Sequence, residues 1–183
     1  MSCNSHTLAG IGLGCKDAIG SIKEVYLIKD EEVTDIQLDE AGSAVASITL
    51  ADSATFKTYK FRKGTSSMSS TMTTDEAAGT MSIQTDLALQ FTKMETAKRL
   101  EIMAMCMDSL KGIVLDSNGK YWLLGYDYPI TASAATGNTG TAFADFNGYN
   151  ITLTDNSREF PFEIPSAVMA TLAEKITAAP VGN

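Results

Sequence analysis

Residues 80–91 read TMSIQTDLALQF. Met81, Ile83, Thr85, Leu87, Leu89 and Phe91 fall on one side of an extended chain, and Ser82, Gln84, Asp86, Ala88 and Gln90 on the other. The alternation holds from Met81 to Phe91, longer than the usual strand of about 5–6 residues. One face is apolar, while the other carries hydroxyls, amides and a single acid. A strand so divided belongs to an antiparallel sheet with one side on a core and the other in water.

Upstream lies GTSSMSSTMTTDEAAG (64–79), small, hydroxylated and uncharged apart from Asp75 and Glu76. It reads either as a flexible tip or as the far end of a long antiparallel arm. With the strand pattern Thr55 to Arg62 before it, the hairpin arm spans about 55–91. A long hairpin with few large apolar groups does not stabilise itself and needs a partner surface. Further upstream, Ser21 to Asp30, Val33 to Leu38 and Ala44 to Leu50 read as strands, with Ala46, Ile48 and Leu50 on one face of the last.

Downstream, Thr92-Lys-Met-Glu95 has the form of a capping box opening a helix over about 93–111. Its expected apolar stripe is Leu100, Met103, Met107 and Leu110, widened by Ile102 and Cys106. Glu95 and Arg99 are spaced to pair, and Lys111-Gly112 supplies a cationic last turn and a C-cap. A hairpin follows around Asp116-Ser-Asn-Gly119. Tyr126 to Ile130 then leads into TGNTGTAFADFNGYNITLT (136–154), read as a loop over 136–148 and a strand from Tyr149 to Thr154. Phe160 to Ile164 is a last short strand, and a short helix is expected around Val168 to Ile176. The organisation is therefore an extension over 1–20, a β domain over 21–165 and a second extension over 166–183. The fold class is α+β, mainly antiparallel β: a β-sandwich or half-barrel with one flanking α-helix and a long β-hairpin arm.

At 183 residues and 44% hydrophobic, the chain supports one domain with a proper core. Its formal net charge of −8 argues against a surface that grips nucleic acid through clustered Lys and Arg. MSCNSHTLAGIGLGCK lacks a basic region followed by an apolar one, and no run approaches the length of a membrane span, so the expectation is a protein made in the cytoplasm. Cys3, Cys15 and Cys106 are odd in number and unmatched in spacing, which favours reduced thiols. Asn150-Ile-Thr fits a glycosylation sequon but has no secretory context in which to act.

The chemistry-bearing residues assemble into no catalytic pattern. His6 is the one histidine, so no triad has a placed base. Cys3, His6, Cys15 and Cys106 lack compact metal-ligand spacing, and incidental thiols on an exposed tail are the simpler reading. Gly10, Gly12 and Gly14 lack the third glycine and the βαβ unit of a dinucleotide fingerprint, leaving a pliable segment that can lie close to another backbone. Gly137-Asn-Thr-Gly140 has no lysine of a phosphate loop. Asp145-Phe-Asn-Gly148 lacks the distal glutamate of a calcium loop, so Asp145 reads as a turn acid. No cofactor, metal or enzymatic activity is expected.

The first strand IKEVYLI (22–28), MSIQTDLALQF (81–91), the helix from Thr96 to Lys111 and TGTAFADFNGYNITLT (139–154) together resemble the tail tube proteins of long-tailed bacteriophages. The likeness covers roughly residues 20–165, in layout rather than in a diagnostic motif. It implies a virion protein forming rings, typically of six subunits, whose inner strands join into one β-barrel. Stacked rings make a hollow tube through which DNA passes during ejection without specific binding, and the tube meets tail terminator and tape measure proteins. On this resemblance Ser82, Gln84, Asp86 and Gln90 face the lumen; the bland alternative is that they are the wet side of a sandwich. Thr65, Ser66, Met68, Met72, Thr74 and Gly79 of the arm, with Gly137, Thr139, Phe143, Asp145 and Phe146 of the later loop, meet neighbouring subunits. A barrel shared among chains removes the open edges a lone half-barrel leaves. A head-to-tail completion ring or a capsid decoration protein is the alternative virion role.

Overall fold

In IKEVYLIK, residues 22–29, Val25, Tyr26, Leu27 and Ile28 are all buried, as in a strand covered on both faces. This is β1 (Ile22–Lys29), the centre of a computed structural model that describes residues 8–179. Around it come β2 (Val33–Leu38), β3 (Val45–Leu50), β4 (Phe56–Lys60), β5 (Ser67–Asp75), β6 (Thr80–Thr92), α1 (Thr96–Met107), β7 (Leu110–Asp116) and β8 (Tyr121–Leu124). The chain continues through β9 (Thr131–Asn138), β10 (Gly148–Ser157), β11 (Phe162–Ile164), α2 (Ser166–Leu172) and β12 (Ile176–Thr177). The fold is α+β and mostly antiparallel β, as expected.

Three layers stack rather than the two of a simple sandwich. The middle one is a six-stranded sheet in the order β11-β8-β7-β1-β4-β12. On one side, Val25, Leu27, Val114 and Leu124 of this sheet share a core with Leu87 and Leu89 of β6, Ile151 and Leu153 of β10, and Ile102 and Met105 of α1. The strands β5-β6-β10-β9 form the four-stranded outer sheet there. On the other side, Tyr26, Ile28, Phe56, Ile113 and Leu123 share a second core with Val45, Ile164, and Met169 and Leu172 of α2. The β2–β3 ribbon closes that side.

Several expectations are corrected. The arm does not reach back to Thr55, because β4 pairs with β1 in the central sheet. Its outgoing strand is instead β5, formed from the serine- and threonine-rich stretch and paired with β6 from Ser67↔Ala88 to Asp75↔Thr80. In β3 the register slips between Leu38↔Val45 and Gln37↔Ser47, a bulge that brings Val45 to the same core as Ile48 and Leu50. Thr92 is the last residue of β6, not a cap; α1 starts after Glu95, whose carboxylate binds Lys93 and Lys98 at 2.6 and 3.1 Å rather than Arg99. The helix ends at Met107, and Lys111-Gly112 lies inside β7. Its buried residues are Ile102 and Met105, while Leu100, Met103 and Met107 of the expected stripe face outward. Residues 136–138, expected in a loop, belong to β9.

Gly148 fixes the junction of β6 and β10. Its φ is +154°, and a Cβ there would stand 2.1 Å from the Phe91 carbonyl oxygen. Backbone approaches side-chain-free backbone at this point, which only glycine permits.

The apolar face of β6 runs from core into solvent. Leu87 is fully buried, whereas Met81, on the same side of the strand, is 52% exposed. Leu87→Ala is expected to cost about 2–5 kcal/mol in urea denaturation. Met81→Ala is expected to cost no more than about 0.5 kcal/mol. Equal losses would show that the hairpin end is packed in the folded monomer.

Candidate functional site

The outward face of the four-stranded sheet is assembled by cross-strand registry. Asp86 of β6 lies opposite Ser69 of β5 and Thr154 of β10, and Gln84 opposite Thr71 and Asn156. Gln90 lies opposite Asn150, which in turn faces Thr136 of β9. Side chains of matching length bond across these rows. Gln90 Nε2 donates to Asn150 Oδ1 at 3.1 Å, and the Thr154 hydroxyl donates to Asp86 Oδ1 at 2.8 Å. Gln84 Nε2 donates to both Asp86 oxygens at 3.1 and 3.0 Å. The four residues Ser82, Gln84, Asp86 and Gln90 thus share one polar face with Ser69, Thr71, Asn150 and Thr152. No Lys or Arg stands on the face of these four strands; Asp86, with Asp75 at the tip, supplies its charge.

Both edges of this sheet are open. β5 pairs only with β6, and β9 only with β10, among the described residues. Each is built of small residues, SMSSTMTTD and TASAATGN, and each is largely exposed. Neither edge carries a lysine or proline of the kind that blunts unwanted pairing.

The arm residues divide. Ser66 is buried, its Oγ accepting from the Gln90 N–H at 3.3 Å and its carbonyl from the Ser21 hydroxyl at 3.3 Å, so it fastens the root of the hairpin. Met68 packs against the first core. Thr65 closes a turn onto the Arg62 carbonyl at 2.8 Å. Thr74 and Gly79 stand on the projecting part, and Met72 lies opposite Ile83, the last residue of β6 that β10 reaches.

The later loop lies at the opposite end of β6. Asp145 Oδ2 accepts the N–H groups of Thr141 and Ala142 at 2.8 and 2.7 Å, which closes the turn and holds its carboxyl below the usual range. Gly140, at φ +72°, fits beside it where a Cβ would come within 2.5 Å of the Asp145 Cβ. Thr139 bonds the next carbonyl, Gly137 sits in β9 against Tyr149, and Phe146 packs over Gly148. Phe143 is fully exposed. Asn147 ties this loop to α1: its carbonyl accepts from the Lys93 N–H at 2.7 Å and its Oδ1 from the Met94 N–H at 2.9 Å. The first turn of α1 holds Lys98 and Arg99 and no acid, the reverse of the charge order a helix dipole favours.

Cys15 and Cys106 are exposed thiols, while Cys3 and His6 lie outside the described residues. Among the described residues, no group of three or more His, Cys, Asp or Glu side chains could hold a metal ion, and no helix is long and apolar enough to cross a membrane.

Sequence reading gave no hint of Asp155. It stands on the inward face of β10, opposite Thr85, and is buried. Oδ2 accepts from the Gly125 N–H at 3.1 Å, and Oδ1 has no hydrogen-bond partner among the described residues. Burial raises its carboxyl above the ordinary range; the Gly125 bond opposes this, Asp127 adds to it and Lys111 opposes it. The unfolded chain releases this proton at about pH 3.9. Between that value and the higher folded one the native state holds more protons, so this group's contribution to stability falls as pH rises through the window. Asp155→Asn keeps an acceptor for Gly125 without the charge. It is expected to melt higher than wild type at neutral pH, with the gap closing as pH falls toward 4. A variant that melts lower at neutral pH would show instead that the carboxylate stabilises the fold.

No protein-family model, no curated protein and no solved structure matches the chain. The geometry of its own surfaces therefore carries the functional reading.

Proposed function

We propose that the chain is a structural subunit of a bacteriophage virion, assembling into rings that build the tail tube. The observation supporting this reading is the four-stranded sheet with a cation-free polar face and two open edges. Strand direction alternates along β5-β6-β10-β9, so β9 of one copy laid against β5 of the next runs antiparallel to it. A simple rotation repeats that contact until the ring closes, and no edge is left.

The core-side face of this sheet is covered by the central sheet, which leaves the polar face for the lumen. With six copies at about 4.8 Å per strand and a tilt of about 40°, the closed barrel has a circumference of roughly 150 Å and a diameter of roughly 50 Å. A DNA duplex fits that bore. A wall of hydroxyls and amides with Asp86 and no Lys or Arg gives phosphates no cation to pair with, so DNA slides instead of sticking. The role is non-catalytic: ring and stack partners are further copies, with a terminator and a tape measure protein at the tube's end and in its bore.

Negative-stain microscopy of the purified protein is expected to show rings or tubes about 10 nm across, a barrel with sheets about 10 Å apart outside it. Proline at Ala135 or at Thr136 tests the edge, since alternate residues of a strand turn their N–H groups to the same side. One of the two variants is expected to stay folded and lose rings. Monomers at high protein concentration would overturn the proposal, and single rings that never stack would favour a completion ring.

A further inference from the structure

Two Asn-Gly pairs occur in the chain, Asn118-Gly119 and Asn147-Gly148. An asparagine followed by glycine can lose its side-chain amide without an enzyme, because a residue with no Cβ leaves its backbone nitrogen free to reach the asparagine Cγ. The two pairs sit in opposite surroundings. Gly148 is buried in β10, opposite Thr92 of β6 and Asn138 of β9. Asn147 is held as well, its Oδ1 accepting from the Met94 N–H at 2.9 Å and its Nδ2 donating to the Thr139 carbonyl at 3.4 Å. Asn118 and Gly119, by contrast, form the exposed tip of the turn between β7 and β8. Gly119 has φ +83°, and no atom beyond its chain neighbours lies within 4 Å of a Cβ built there. Its N–H makes only a long bond, 3.3 Å, to the Asp116 carbonyl. A loop tip of this kind opens locally at little cost.

The Asn118 side chain is also a clasp. Its Oδ1 accepts from the Ile19 N–H at 2.8 Å and its Nδ2 donates to the Ile19 carbonyl at 3.0 Å, the paired exchange that two antiparallel strands make. Among the described residues, no other hydrogen bond ties residues 8–20 to the rest of the fold. Leu8, Ile11 and Leu13 of that stretch are fully exposed. Beside the clasp stands Asp116, whose Oδ1 accepts the Asn118 N–H at 2.8 Å and the Lys120 N–H at 2.9 Å.

We infer that Asn118 is a site of spontaneous deamidation, and that its conversion unfastens residues 8–20 from the turn. The Gly119 nitrogen gives up its proton and attacks Asn118 Cγ. A new C–N bond closes a succinimide, and the side-chain nitrogen leaves with that proton as ammonia. Water then opens the ring at either carbonyl, leaving aspartate or isoaspartate, with no oxidation or reduction. A carboxylate accepts hydrogen bonds and donates none, so the Ile19 carbonyl loses its donor and faces an anion. The new charge also stands beside Asp116, and isoaspartate adds a backbone atom to the turn that Asp116 closes. The release is slow, one-way and quickened by base. It is independent of the ring reading.

Two measurements test it. The native protein is held for several days at mildly alkaline pH and then digested with trypsin. The peptide 112–120, in which Asn118 is the only asparagine, is expected to gain the one mass unit by which a hydroxyl exceeds an amide nitrogen with its hydrogens. The peptide 121–158, which holds Asn147, is expected to convert far less. In urea both are expected to convert, which assigns the difference to the fold. An unmodified 112–120 peptide, or equal conversion of both in the native protein, would overturn the inference. The second measurement is trypsin cleavage after Lys16 in the folded protein. A protease takes several residues on each side of the scissile bond into its cleft, and Ile19 is among them. Asp-Gly suits the same turn, so Asn118→Asp is expected to fold. It is expected to be cut about fivefold faster than wild type, the equilibrium effect of one lost hydrogen bond. Equal rates would overturn the unfastening.

Discussion

The apolar seam between the central and outer sheets is the constraint on which the other features depend. Val25 and Leu27 bring the middle of β1 to it, Leu87 and Leu89 the middle of β6, and Ile151 and Leu153 the middle of β10. Because a strand turns successive side chains to opposite faces, committing these residues to the seam commits their neighbours to the far side. In β1 the neighbours Tyr26 and Ile28 meet a second core, so the middle of the strand, Val25 to Ile28, is apolar on both faces. In β6 the neighbours Gln84, Asp86 and Gln90 meet water, so the strand alternates. One packing rule thus produces both the buried middle layer and the polar wall.

That rule also explains what sequence reading can and cannot recover. β6 and β1 are legible because their apolar residues are large and regularly placed. β5 and β9 are not, since SMSSTMTTD and TASAATGN offer little contrast between faces and become strands by pairing with neighbours already fixed in place. The helix is recognisable as a helix, yet its orientation is misread: apolar residues lie on two sides, and the hidden pair is Ile102 and Met105 rather than the longer stripe of Leu100, Met103 and Met107. The bulge in β3 inverts the expected facing of Val45 through a single extra residue. Of the candidate surface residues, the polar face of β6 follows from alternation alone. Ser66 and Met68 could not be separated from Met72 without knowing where β10 ends.

The open edges of β5 and β9 present backbone hydrogen-bonding groups, which suit a partner strand and are indifferent to its side chains. The hairpin end of β6 presents side chains instead, with Met72 and Met81 half exposed on one face and hydroxyls on the other.

The order in which these parts form follows from their separation along the chain. β5 and β6 are joined by the short turn Glu76–Gly79 and pair through neighbours in sequence. β1, by contrast, pairs with β7, matching Val25 to Val114, and β6 pairs with β10, matching Leu87 to Leu153. Closing the longer loops costs more chain entropy and is slower, so the hairpin forms before the sheet that anchors it. During that interval the open edge of β5 is already extended and uncovered. Uncovered edges of this kind make partly folded chains prone to associate, so slow synthesis or low concentration favours the correctly layered chain.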